Sequence, residues 1–141
     1  MKFCVLVLWL VASFCAAQNS AEPPATTDPA TKAPLTMDWN GIPTVNVNVV
    51  KGSVVVANQA GDDFDQTVII EAVNEVGKAF ALGYQHFSLR SHSRSVPISF
   101  ETKLPPGHYS IHADAVAEIA SKHAIYRQHI EGPTTFSITV I

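Results

Sequence analysis

Six histidines, His86, His92, His108, His112, His123 and His129, are the side chains of this sequence best suited to proton or ligand chemistry near neutral pH. His108, His112 and Asp114 fall at even spacings. On an extended strand all three project to one face, opposite Tyr109 and Ile111. His112 and Asp114 are a candidate pair of donors for a ligand or metal, and His123 or His129 on a paired strand could complete the set. No His-x-His or His-Glu-x-x-His motif sharpens a metal site, and a solvated polar face of a half-buried sheet accounts for the same pattern. Arg90-Ser-His92-Ser-Arg94 is a compact basic loop suited to sulfate, phosphate or an acidic sugar, or simply to water. Gly61-Asp62-Asp63-Phe64-Asp65 carries carboxylates without the further ligands that a calcium loop needs. There is no Gly-x-Ser-x-Gly elbow and no Gly-rich phosphate loop. The nine carboxylates of residues 40–141 have no focus along the chain. The expectation is a non-enzyme with no cofactor and no resident metal, whose ligand-binding candidates are Arg90, His92, Arg94, His108, His112 and Asp114.

The elements that must position these residues are strands. Residues 40–141 hold 13 Val and 10 Ile but only 3 Leu, and β-branched side chains favour the extended backbone. Alternation places strands at 44–50, with Val45, Val47 and Val49 on one face, and at 54–56 after a bulge or turn at Lys51-Gly52. Further strands are expected at 67–73 and at 79–87, where Phe80, Leu82 and Tyr84 alternate. Others follow at 96–100, from Tyr109 through Ala115, at 125–130 and at 136–141. Pro97 lacks an N–H and assigns its strand to a sheet edge. Residues 113–124 have helix-forming composition, but the clean alternation from Tyr109 to Ala115 favours a hairpin around Ala120–Lys122. Seven to eight short strands in about 100 residues predict an all-β fold, a single immunoglobulin-like β-sandwich, with a small barrel as the alternative. Leu104-Pro-Pro-Gly-His-Tyr109 has the form of a tyrosine corner. Trp39 and Tyr126 are the aromatics best placed to be exposed.

The 141 residues fit one small domain. Residues 1–17, MKFCVLVLWLVASFCAA, have the basic start, short apolar run and small-residue end of a signal peptide, with cleavage expected after Ala17. An uncleaved anchor or a lipid on Cys15 are the alternatives, though Phe14 is bulky for lipidation. Cleavage removes both cysteines, Cys4 and Cys15, and with them thiol catalysis, thiolate zinc sites and disulfides. It also removes Lys2. The remaining 8 basic and 12 acidic residues leave a net charge of −4, which disfavours nucleic acid and anionic membranes. No transmembrane span is expected in the mature chain. Residues 18–38, rich in Pro, Ala and Thr, are expected to form a disordered leader, with the sandwich occupying 39–141.

Three stretches resemble a family of small exported bacterial proteins, the YbaY-type proteins grouped with the type III secretion lipoprotein chaperone (YscW-like). They are Val49-Val-Lys-Gly-Ser-Val-Val-Val56, Gln66-Thr-Val-Ile-Ile-Glu-Ala-Val73, and Val96-Pro-Ile-Ser-Phe-Glu101 followed by Tyr109-Ser-Ile-His-Ala-Asp114. The likeness spans roughly residues 45–140. It implies an exported β-sandwich that binds a partner segment, and it supplies no catalytic residues. Cys15 departs from the family's lipid-attachment context, so anchoring does not carry over. Together these features predict a secreted or extracytoplasmic binding protein. Its partner is an unknown protein or an extracellular or envelope surface, and an uncovered edge such as Val96–Phe100 could receive a partner strand. The alternative is a small-ligand, glycan or metal binder that uses the histidine-bearing strand face or the Arg90–Arg94 loop. A hydrolase with a dispersed site is a third class.

Overall fold

The computed structural model describes residues 33–140. Among these residues two antiparallel sheets, with nine strands, pack as a β-sandwich. The expected signal segment 1–17 and leader residues 18–32 lie outside the described residues.

The first sheet is built on β3 (Val49–Asn58). On one side β3 pairs with β1 (Leu35–Trp39) along its second half and with β2 (Thr44–Asn46) along its first. On the other side it pairs with β6 (Val96–Lys103). The second sheet runs β5 (Ala79–Leu89), β4 (Phe64–Asn74), β7 (Gly107–Ile119), with β8 (Ala124–Glu131) and β9 (Phe136–Ile138) sharing the far side of β7.

The core lies between the sheets. β7 turns Tyr109, Ile111, Ala113, Ala115 and Ala117 inward, and all are buried. They meet Val50, Val54 and Val56 of β3 and Ile98 and Phe100 of β6 within one apolar cluster. Gly52 belongs to the inner row of β3, and the Phe100 ring occupies the place its side chain would take. A Cβ there would stand 2.9 Å from Phe100 Cζ, which explains a glycine inside a central strand. The tyrosine corner forms as its sequence suggests: the Tyr109 hydroxyl donates to the Pro105 carbonyl at 2.8 Å. Burial raises the pKa of that phenol.

Four local expectations change. The domain starts earlier, because Leu35 and Met37, inside the stretch read as leader, are core residues paired against β3. Their spacing with Trp39 is a strand alternation set in Pro/Thr/Ala-rich surroundings. The single strand at 44–50 is a hairpin that reverses at Val47-Asn48, with Val47 at φ 56°. Lys51-Gly52 is uninterrupted strand. In β5 the alternation is broken by a bulge: Ile70 pairs with Gly83 and Glu71 with Ala81, leaving Leu82 as the extra residue. Tyr84 therefore leaves the face that holds Phe80 and Leu82.

Residues 113–124 resolve as the hairpin. β7 continues to Ile119, a 3-10 turn spans Ala120–Lys122, and His123 at φ 50° leads into β8. Among the described residues β6 pairs with β3 alone, as Pro97 requires. Its other side borders β5, where the Thr102 hydroxyl donates to the Leu82 carbonyl at 3.0 Å.

Candidate functional site

The two-residue repeat of β4, β5, β7 and β8 sends alternate side chains out of the second sheet. Among the described residues no element covers this outer face. Register aligns its side chains in rows. One row reads Ala81, Glu71, His112, Glu131, and the next Tyr84, Ile69, Asp114, His129. A third reads His86, Thr67, Val116, Arg127, and a fourth Ser88, Asp65, Glu118, Ile125. Acidic and imidazole groups thus meet across strands. Tyr84, 67% exposed, and Ile125, 55% exposed, stand among them.

The polar groups are engaged with one another. His129 Nδ1 lies 2.7 Å from Asp114 Oδ1, and its Nε2 lies 2.7 Å from Glu131 Oε1. A ring facing carboxylate oxygens at both nitrogens satisfies both contacts only as imidazolium. Glu131 first, and then Asp114, hold the His129 pKa above the ordinary imidazole value. His112 sits beside this group, its ring centroid 5.5 Å from that of His129. Its Nε2 lies 3.3 Å from Glu71 Oε2 and 3.7 Å from Asp114 Oδ2. Farther along, His86 Nε2 meets Asp65 at 3.0 Å, and its Nδ1 lies 2.9 Å from the Thr67 hydroxyl oxygen. A shallow depression of about 490 Å³ runs between Ile69, Asp114, Val116 and His129. Among the described residues no group of three or more His, Cys, Asp or Glu side chains is placed to hold a metal ion.

His112 and Asp114 therefore come together as their spacing suggests, and His129, not His123, joins them. His108 does not. It shares their face but pairs at its Nδ1 with Ser137 Oγ, 2.6 Å away. Its backbone N–H donates to Glu75 at 3.0 Å. The Glu75 carboxylate is held below its usual pKa by its own backbone N–H first and that of His108 next. Glu71 was invisible as a partner because it lies 41 residues from His112 in the chain, and only strand register brings it near. Glu131 lies two residues from His129 on the same strand, a same-face spacing that the sequence shows once the strand is placed.

Arg90, His92 and Arg94 form a separate feature. Their loop follows Leu89, which pairs with Phe64, seven positions along β4 from the Glu71 that meets His112. At about 3.3 Å per residue that is roughly 23 Å. The loop is fastened to the β3–β4 connection: Ser91 N–H donates to Asp63 at 2.8 Å and His92 N–H to the Ala60 carbonyl at 3.1 Å. The carboxylates of the Gly61–Asp65 stretch are likewise committed, Asp62 to Lys122, Asp63 to this loop and Asp65 to His86. Arg94 borders a shallow groove with Thr36, Asp38 and Gln59.

The expected exposed aromatics are structural. Trp39 makes an edge contact with Phe100, and its indole N–H donates to the Glu131 carbonyl at 2.7 Å, tying the two sheets together. Tyr126 packs against Phe64 with ring centroids 5.5 Å apart. Tyr84 is the aromatic that faces solvent. Among the described residues no helix is long and apolar enough to cross a membrane.

No family model matches this chain, and no curated protein matches it. Solved structures give distant likenesses. One is the sporulation control protein Spo0M from Bacillus subtilis, at 12% identity and TM-score 0.42, covering 70% of this chain and 47% of that one. Another is a β-glucosidase from Kluyveromyces marxianus in complex with glucose, at 12% identity and TM-score 0.40, covering 73% of this chain and 14% of that one. This chain thus spans less than half the length of either, and at these scores neither likeness bears on function.

Proposed function

We propose that this is an exported, non-enzymatic binding domain that engages a protein partner through the outer face of the β5-β4-β7-β8 sheet. The observation that carries the reading is that face: four strands wide, uncovered among the described residues, with Tyr84 and Ile125 exposed between ordered polar groups. Exposed aromatic and aliphatic side chains ringed by polar ones are the usual make-up of a recognition surface. The β6 edge is a poorer candidate for strand addition, because it borders β5 at Thr102. Export is supported by the apolar residues 3–11 behind Lys2 and by the likeness to the YbaY-type family.

A photo-crosslinking residue in place of Tyr84, with the same residue at Ser99 on the opposite sheet as control, tests the face in the producing organism. A single protein adduct at position 84, absent at 99 and abolished by Ile125→Asp, is the expected result. Adducts at both positions or at neither overturn the reading.

A further inference from the structure

We infer that the partner presents a basic segment to this face, lysine or arginine beside an apolar anchor, and that the histidines release it in acid. The inference rests on the face proposed above and names the chemistry it receives. Five carboxylates, Asp65, Glu71, Asp114, Glu118 and Glu131, share the face with one permanent cation, Arg127. With the histidines neutral the face carries four net negative charges, and with His86, His112 and His129 protonated it carries one. An acidic face with apolar points complements a basic, apolar-anchored surface.

The histidines are seated where such a cation would bind. His86 lies on Asp65, His112 on Glu71, and His129 between Asp114 and Glu131. Each imidazolium is therefore an internal competitor for an incoming lysine or arginine. Around His129 the other charged or titratable neighbours are Glu71 on β4, His112 and Asp114 on β7, and Arg127 and Glu131 on β8. Three of those five are carboxylates. When the ring loses its proton, Asp114 and Glu131 lose a donor and are left as neighbouring anions. A guanidinium fork, which can donate to two carboxylate oxygens at once, fits that vacancy. Imidazoles ordinarily change charge between about pH 5 and 8, so binding and proton release share one range.

The test uses the full chain and two fluorescein-labelled peptides, one alternating arginine with tyrosine and one with glutamate in place of arginine. Binding is titrated at about pH 5 and about pH 8 at fixed ionic strength. The arginine peptide should bind about tenfold or more tighter at the higher pH, a difference of about 1.4 kcal/mol. The glutamate peptide should bind at neither. Asp114→Asn with Glu131→Gln should lose the tight binding without lowering the melting temperature at about pH 9, where the His129 pairs no longer contribute, and Glu71→Gln should weaken it if the double variant fails to fold. His112→Gln with His129→Gln should bind almost equally at both pH values. No binding of the arginine peptide, equal binding of both peptides, or a pH dependence that survives loss of the histidines overturns the inference. A cross-linked partner whose contact surface is acidic overturns it too, while leaving the face itself standing. Failure to cross-link at position 84 removes the face.

Discussion

Two amides are fully buried in this sandwich, and their substitutions should change stability in opposite directions. Asn58 closes β3, and all of its polar atoms are used. Its Nδ2 donates to the carbonyls of Asp62 at 2.8 Å and Leu89 at 3.1 Å, and its Oδ1 accepts from Ala60 N–H at 2.8 Å. Gln66 lies on the inner face of β4, and among the described residues neither its Oε1 nor its Nε2 has a partner. A buried polar group without a partner costs about 1–3 kcal/mol, whereas a satisfied hydrogen bond contributes about 1 kcal/mol net. Gln66→Met replaces two unpaired atoms with an apolar group of similar length. At the low end of that range it should stabilise the fold by about 2 kcal/mol. Asn58→Leu strands one N–H and two carbonyls and should destabilise it by about 3 kcal/mol. For a domain of this size each kcal/mol moves the thermal midpoint by about 4 °C, so the two variants should lie about 20 °C apart on either side of the parent. Equilibrium urea unfolding of the full chain, followed by circular dichroism, gives both values if the m-value is unchanged. A Gln66→Met protein less stable than the parent would refute the assignment of an unpaired amide and point instead to a water or ligand held by it.

Three further outcomes follow from other sites. Tyr109→Phe removes the hydroxyl that binds the Pro105 carbonyl and should lower stability by about 1 kcal/mol, read from the same urea curves. Val47→Gly relieves a β-branched residue held at φ 56° and should raise stability by about 1 kcal/mol; a loss would show that the Val47 side chain supports the hairpin. His129 has a raised pKa in the folded state. Its contribution to stability is therefore complete below the unfolded imidazole value and disappears as pH rises through the folded one. His129→Gln should be less stable than the parent at about pH 5.5 and indistinguishable at about pH 9. An NMR titration should place this ring above the ordinary histidine range, and a midpoint at or below that range would contradict the two carboxylate contacts.

Strand pairing explains which features could be read along the chain. The inner row Tyr109, Ile111, Ala113 and Ala115 was legible because burial follows a period of two within one segment. The corner at Pro105–Tyr109 was legible because it is closed over four residues. The first strand was concealed by composition: Leu35, Met37 and Trp39 alternate correctly, but Pro, Ala and Thr surround them. The Val47 turn left no signal, since neither Val nor Asn48 is a glycine that would mark a reversal. Half of the histidine cluster could be assembled locally, His112 with Asp114. Its other members arrive on β4 and β8, and their positions depend on registers that alternation within one strand does not determine.

The bulge at Leu82 makes pairing register, as much as side-chain identity, decide what this face displays. Residues before it and after it in β5 are in opposite phase, and holding Leu82 outside the ladder leaves Tyr84 and His86 on the solvent side. Deleting Leu82 would set Ala81 directly beside Gly83 in the ladder, with Phe80 still inward opposite Ala72 and Tyr84 still outward opposite Ile69. Straightening the bulge with Leu82 retained and the Ala79–Ala81 pairing kept would instead set Leu82 opposite Ile70 and Tyr84 opposite Val68, turning Tyr84 and His86 inward and Gln85 and Phe87 outward. The polar, aromatic surface thus tolerates the loss of this residue and is undone by its entry into the ladder, with every residue type unchanged. Variation in this protein at that position should then be judged by whether the pairing on either side keeps its phase, because residue identities alone would miss the change that matters most to the face.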